Sequence, residues 1–153
     1  MLSINMKFKK KGSLLIDVIL GVILISIILY YIVSNSMEYI QESRISNATA
    51  TTTNYATAIS QYKFEIGEYP QNLNDLTKRG TKTADGEDAS QFGPWIAKLE
   101  KDPWNRDYSY QKFAKYGKDE DTFVVFSKGK NGSGSFNKSN MSFSGGAVGS
   151  IGK

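Results

Sequence analysis

Lys9-Lys10-Lys11-Gly12-Ser13-Leu14-Leu15-Ile16-Asp17 leads into twenty uncharged residues, Val18 to Met37, built mostly from Ile, Leu and Val. At about 1.5 Å rise per residue that run is roughly 30 Å long, the thickness of a bilayer core. Lys7, Lys9, Lys10 and Lys11 before it place the amino end on the cytoplasmic side. A removed secretory signal would have an apolar region of about 7–15 residues ending at small residues. This run is longer and reaches Tyr30-Tyr31, a pair suited to the far interface. The stretch reads as one retained membrane span. Asp17 inside it carries a cost of roughly 2.5–3.5 kcal/mol near a bilayer centre, so it should have a partner or a use.

Beyond the span the apolar residues keep to one face. Met37, Ile40, Arg44/Ile45, Ala48, Thr52, Tyr55, Ile59, Tyr62 and Ile66 recur at steps of three and four, an amphipathic helix stripe. No Pro or Gly interrupts Val22 to Ile66, so span and stripe predict one continuous helix, a rod of about 75–80 Å. Gly67 and then Pro70 supply its stop. Thr49, Thr51, Thr52, Thr53 and Thr57 are poor helix formers, so packing must hold the middle.

The remainder predicts an α+β fold, with this helix packed on a small antiparallel sheet and short helices. The expected parts are a leader over 1–12, helix halves over 13–36 and 37–66, a globular region over 67–135 and a Gly/Ser-rich flexible tail over 136–153. Within the globular region, Asn72 to Leu76 reads as a short helical turn and Phe92 to Leu99 as a second short helix. Asp107 to Gln111 alternates as a strand, and Thr122 to Phe126 reads as a more buried one. Tyr116 to Asp121 would join them. The end from Gly129, rich in Gly, Ser and Asn with scattered Phe136, Met141 and Phe143, leaves room for one edge strand.

Composition excludes several functions. The chain has 19 Lys+Arg against 15 Asp+Glu, a formal net charge of +4. Without the four leader lysines, basic and acidic side chains are equal in number, so no basic footprint for nucleic acid remains. The chain contains no Cys and no His, which removes disulfides, thiol catalysis, a Ser-His dyad and His-ligated metals. No spacing commends a Ser-Lys or carboxylate pair, so an enzyme is not expected. Asp85-Gly86-Glu87-Asp88 lies in a solvated loop and lacks the spacing of a helix–loop–helix calcium site. Trp95 and Trp104 read as core anchors, and Pro103 as fixing the turn before the strand near Tyr108.

Lys11-Gly12 followed by an apolar helix with an acid at Asp17 resembles the class III signal of type IV pilins and type II secretion pseudopilins. The likeness extends to about residue 134 and is strongest to the major pseudopilin of type II secretion. Glu68-Tyr69-Pro70 with Leu73 and Leu76 resembles its segment after the long helix. Gly93-Pro94-Trp95-Ile96 and Asp102-Pro103-Trp104 resemble its aromatic motifs, and Phe126-Ser127-Lys128-Gly129-Lys130-Asn131-Gly132 its closing loop. The resemblance implies a pilin-like fold, cleavage by a prepilin peptidase between Gly12 and Ser13, and N-methylation of Ser13. It further implies a homopolymeric filament built with minor pseudopilins and an inner-membrane assembly platform, the carboxyl-terminal domain lying outside the cytoplasm.

Departures accompany the likeness. The first mature residue is usually Phe or Met, and here it is Ser13. The acid is usually Glu, so Asp17 is one methylene shorter, and many members have a proline where this chain has Ser34. Asn105 stands where a glycine follows the family's tryptophan. The family's closing loop binds calcium through acidic side chains and carbonyls. Here Asn131 stands where an aspartate is expected and no acid follows Asp121, so the cofactor expected is none.

Cleavage would leave an ammonium on Ser13, and a carboxylate four residues along the helix lies close to it or to that of a neighbouring helix. Such a pair would set the axial register between subunits, since breaking it strands a buried charge. The plainer reading keeps Asp17 near the headgroups, favoured there by the helix dipole and by Lys9 to Lys11. The expected function is a structural pseudopilin of a secretion filament. A type IV or competence pilus subunit, binding a surface or DNA, is the alternative, and a solitary anchored enzyme or binding protein is the third.

Overall fold

The computed structural model describes residues 13–114 and 122–153. The leader 1–12, with Gly12, and the whole of the loop expected over 116–121 lie outside them. The chain divides into two compact units, Met1–Glu42 and Ser43–Lys153. A single helix, α1 (Ser13–Ile66), supplies the described part of the first and the start of the second.

In the first unit the large apolar side chains from Leu15 to Val33 are all exposed, from 49% at Ile23 to 78% at Tyr30. The Ser26 hydroxyl donates to the Val22 carbonyl at 2.7 Å, so this polar group is satisfied within the helix itself.

In the second unit α1 buries Ala48, Thr52, Tyr55, Ala58, Ile59 and Ile66, the expected stripe at helical spacing. The upper members of the stripe behave differently. Met37, Ile40 and Ile45 are exposed. The threonines are accommodated by back-bonding. Thr49, Thr51, Thr53 and Thr57 donate to the carbonyl four residues before them at 2.9–3.0 Å, and Thr52 donates to Thr49. At the helix end the Gly67 amide still reaches the Lys63 carbonyl, and the Ile66 carbonyl accepts from Ala84 at 2.7 Å.

A 3-10 helix (Leu73–Thr77) follows, where a helical turn is expected. Asn72 caps it, and the Asp75 carboxylate accepts from the Asn72 amide in return, a capping box. Its Leu73 and Leu76 enter the core. The helix expected over Phe92 to Leu99 is absent. The Trp95 and Ile96 amides both donate to the Leu76 carbonyl, at 2.9 and 3.1 Å, instead of closing a helical turn. Gly93, at φ +75°, stands outside helical backbone.

Three antiparallel strands form the sheet in the order β1-β2-β5: β1 (Ser109–Phe113), β2 (Thr122–Ser127) and β5 (Val148–Gly152). β1 begins two residues later than its alternation predicts, following a turn that Asp102 and Arg106 close. A second, two-stranded sheet pairs β3 (Ser135–Asn137) with β4 (Ser142–Ser144).

The region read as a flexible tail, 136–153, is therefore ordered structure, and the reason lies in β2. All six residues of β2 are buried. Phe123 and Val125 join Tyr55, Ile59, Tyr69, Leu76 and Tyr108 in the core under α1. Val124 and Phe126 point the other way, with Phe113, into a second cluster covered by Phe136, Met141, Phe143 and Ala147. The small sheet thus has apolar residues on both faces, and residues 135–147 roof the face that α1 leaves open. Burying each such large side chain is worth roughly 1.5–3 kcal/mol, enough to order a Gly/Ser-rich segment. On the α1 side, Ser150 of β5 donates to the Thr52 hydroxyl at 3.2 Å.

Candidate functional site

Of the residues assigned to processing and assembly, Ser13 is the first described residue of α1, and Asp17 lies one helical turn further on with its side chain exposed. Gly12 is outside the described residues. Among these residues, the helix from Leu15 is long and apolar enough to cross a membrane. An exposed surface of Ile, Leu and Val over several turns is not stable in water. It requires lipid or the apolar faces of other helices.

The second constellation joins the Asp102 turn to the closing loop. Asp102 is 4% exposed. Its Oδ1 accepts the Trp104 amide at 3.0 Å and the Arg106 amide at 2.8 Å, while Oδ2 accepts the Ser127 hydroxyl at 2.6 Å. The Asp102 amide donates to the Arg106 carbonyl at 2.7 Å, closing the turn on itself. Asn105 within it sits at φ +65°, so the position where the family places glycine keeps left-handed backbone, which Asn tolerates better than most residues. The Ser127 oxygen in turn accepts the Gly129 amide at 3.0 Å. A buried carboxylate with three donors is well satisfied, and it fixes where the chain leaves β2.

Arg106 extends this network. Its guanidinium donates to the Gly129 carbonyl at 2.5 Å and to the Lys130 carbonyl at 3.1 Å. Gly132, at φ +70°, lies so close that a Cβ there would come within 3.0 Å of the guanidinium carbon. The loop 129–132 therefore wraps the arginine. The motif Asp102-Pro103-Trp104 pointed to a turn, but the roles of Arg106 and Ser127 were not read from the sequence. The available signal was an Asp followed four residues later by a cation, the spacing of an aspartate-capped turn.

The tryptophans differ in use. Trp95 stacks at 4.5 Å on Tyr62, and its indole donates to Glu65 Oε2 at 2.6 Å, so it clips the 92–99 segment to α1. Trp104 is half-buried beside the Asp102 turn.

No group of three or more His, Cys, Asp or Glu side chains converges among the described residues. Two carbonyls of the closing loop already face a fixed positive charge.

A long apolar helix whose lower half packs on a small antiparallel α+β domain is the build of a pilin-like subunit. Residues 35–142 match the model of the family "Type II secretion system (T2SS), protein G", and the chain belongs to that family. It is 27% identical over 125 residues to the "Type II secretion system core protein G" of Vibrio cholerae serotype O1, covering 81% of this chain and 83% of that protein. The family match starts within α1, at the last residues of the apolar run, so most of the span rests on its own sequence and exposure.

Proposed function

We infer that this chain is a pseudopilin: a structural subunit that leaves the membrane by packing its apolar helix against copies of itself, in a filament that drives protein export. One observation carries this beyond family membership, namely the unbroken exposure of the apolar side chains from Leu15 to Val33. Lipid covers them before assembly, and neighbouring helices cover them after it. The subunit sits in the bacterial inner membrane, its amino end cytoplasmic and its carboxyl-terminal domain outside. A prepilin peptidase cuts between Gly12 and Ser13, and the new amine is methylated. The Asp17 carboxylate then meets the Ser13 ammonium of an adjacent copy, which fixes the axial step. Minor pseudopilins and the assembly platform of the membrane are its further partners. A DNA-carrying pilus is disfavoured, because the chain without its leader lysines is balanced in charge.

Mass spectrometry of membrane-extracted protein should find the amino terminus at Ser13, and cross-linking in membranes should give a ladder of oligomers. Asp17→Ala should leave insertion intact and lower filament yield several-fold. A chain that keeps Met1 and stays monomeric refutes the filament reading, and a normal filament yield from Asp17→Ala refutes the ion pair.

A further inference from the structure

We propose that Arg106 is the built-in cation of the closing loop, and that folding of this chain is independent of calcium. Three observations converge on it. The guanidinium holds two successive carbonyls, Gly129 and Lys130. Gly132, at φ +70°, packs on it so closely that a Cβ would come to 3.0 Å from the guanidinium carbon. The arginine itself is positioned by Asp102, whose carboxylate accepts its amide and, through Ser127, the Gly129 amide at the loop entrance.

The charges explain why a metal is not also accommodated. Calcium takes six to eight oxygens at about 2.3–2.6 Å. Any site using the Gly129 or Lys130 carbonyl would place a divalent ion next to a permanently protonated guanidinium, in a partly buried position where repulsion is poorly screened. Among the described residues, neither Lys98–Glu100 nor Lys101–Asp107, the ion pairs nearby in sequence, brings a carboxylate to this guanidinium. Among the described residues no group of three or more carboxylates converges that could attract calcium. The planar donor fork does what the ion would do: it gathers carbonyls that would otherwise repel one another.

The test uses the full chain in detergent micelles. Thermal unfolding followed by circular dichroism should give the same midpoint, within about 1 °C, in excess chelator and in millimolar calcium chloride. Titration calorimetry with calcium chloride should show no saturable heat. Arg106→Gln should lower the midpoint by about 5 °C or more, and hydrogen exchange should show faster exchange of the Gly132 and Gly134 amides. A calcium-induced rise of more than about 3 °C, or saturable millimolar binding to the unaltered chain, overturns the proposal. So does an Arg106→Gln chain with an unchanged midpoint and unchanged amide protection. Because the chelator comparison uses the unaltered chain, a variant that fails to fold leaves the test intact.

Discussion

A chain ending at Ala147 should lose its cooperative fold, and the cost can be worked from the sheet. β5 pairs with β2 over its whole length, from Phe123 opposite Gly152 to Ser127 opposite Val148. About five ladder hydrogen bonds at roughly 0.5–1.5 kcal/mol each come to ~2.5–7.5 kcal/mol. Removing β5 also uncovers the central strand, whose Phe123 ring lies directly against Gly152, and strips Ser150 from Thr52. Domains of this size are stable by only about 5–15 kcal/mol, so the loss consumes most of the margin. At roughly 4–8 °C per kcal/mol, the midpoint falls by well over 10 °C or the transition disappears. Thermal unfolding of the full and shortened chains in the same detergent, with limited proteolysis of each, measures this. Gly152→Val is the gentler companion: its side chain would be driven into the Phe123 ring and should cost about 1–3 kcal/mol. A shortened chain that melts within 3 °C of the full one, and resists protease equally, would refute the role given to β5.

Asp102→Asn keeps the shape but replaces a charged acceptor of three hydrogen bonds, and should cost about 2–3 kcal/mol, seen as a lower urea midpoint at unchanged slope. Burial raises the hydroxyl pKa of Tyr55 and of Tyr108 above its ordinary value. Because the folded values exceed the unfolded value near 10, their contribution is intact below about pH 10 and is lost as pH rises through the folded values. Stability should therefore fall steeply in alkali, measured by urea titration from neutral pH to about pH 11. Tyr55→Phe should make that fall shallower, while costing about 1 kcal/mol at neutral pH through loss of the 2.7 Å bond from the Glu100 amide.

Much of the fold was legible because its signals are local. The stripe from Ala48 to Ile66 has helical period, Asn72 to Leu76 carries its own cap, and Thr122 to Phe126 is an unbroken apolar strand. Three features escaped for nonlocal reasons. Phe136, Met141 and Phe143 sit in a composition typical of loops, and their partners Val124 and Phe126 are supplied by a strand whose two-sided burial appears only once α1 has taken the other face. Trp95 looked helical by its surroundings, yet its amide is claimed by Leu76 from a distant turn. Arg106 was not singled out, because its role depends on carbonyls supplied by residues 129 and 130. For the assembly helix, Asp17 was named on its charge within an apolar run and Gly12 and Ser13 by resemblance to the class III signal, and the exposure of Leu15 to Val33 follows from the run itself.

The contact between Ser150 and Thr52 joins residues 98 positions apart. In a chain made from its amino end, position 150 is among the last to become available to the domain. Until then the nascent domain lacks the strand that completes its sheet. Folding of the domain is thereby timed by the arrival of its most distal residues.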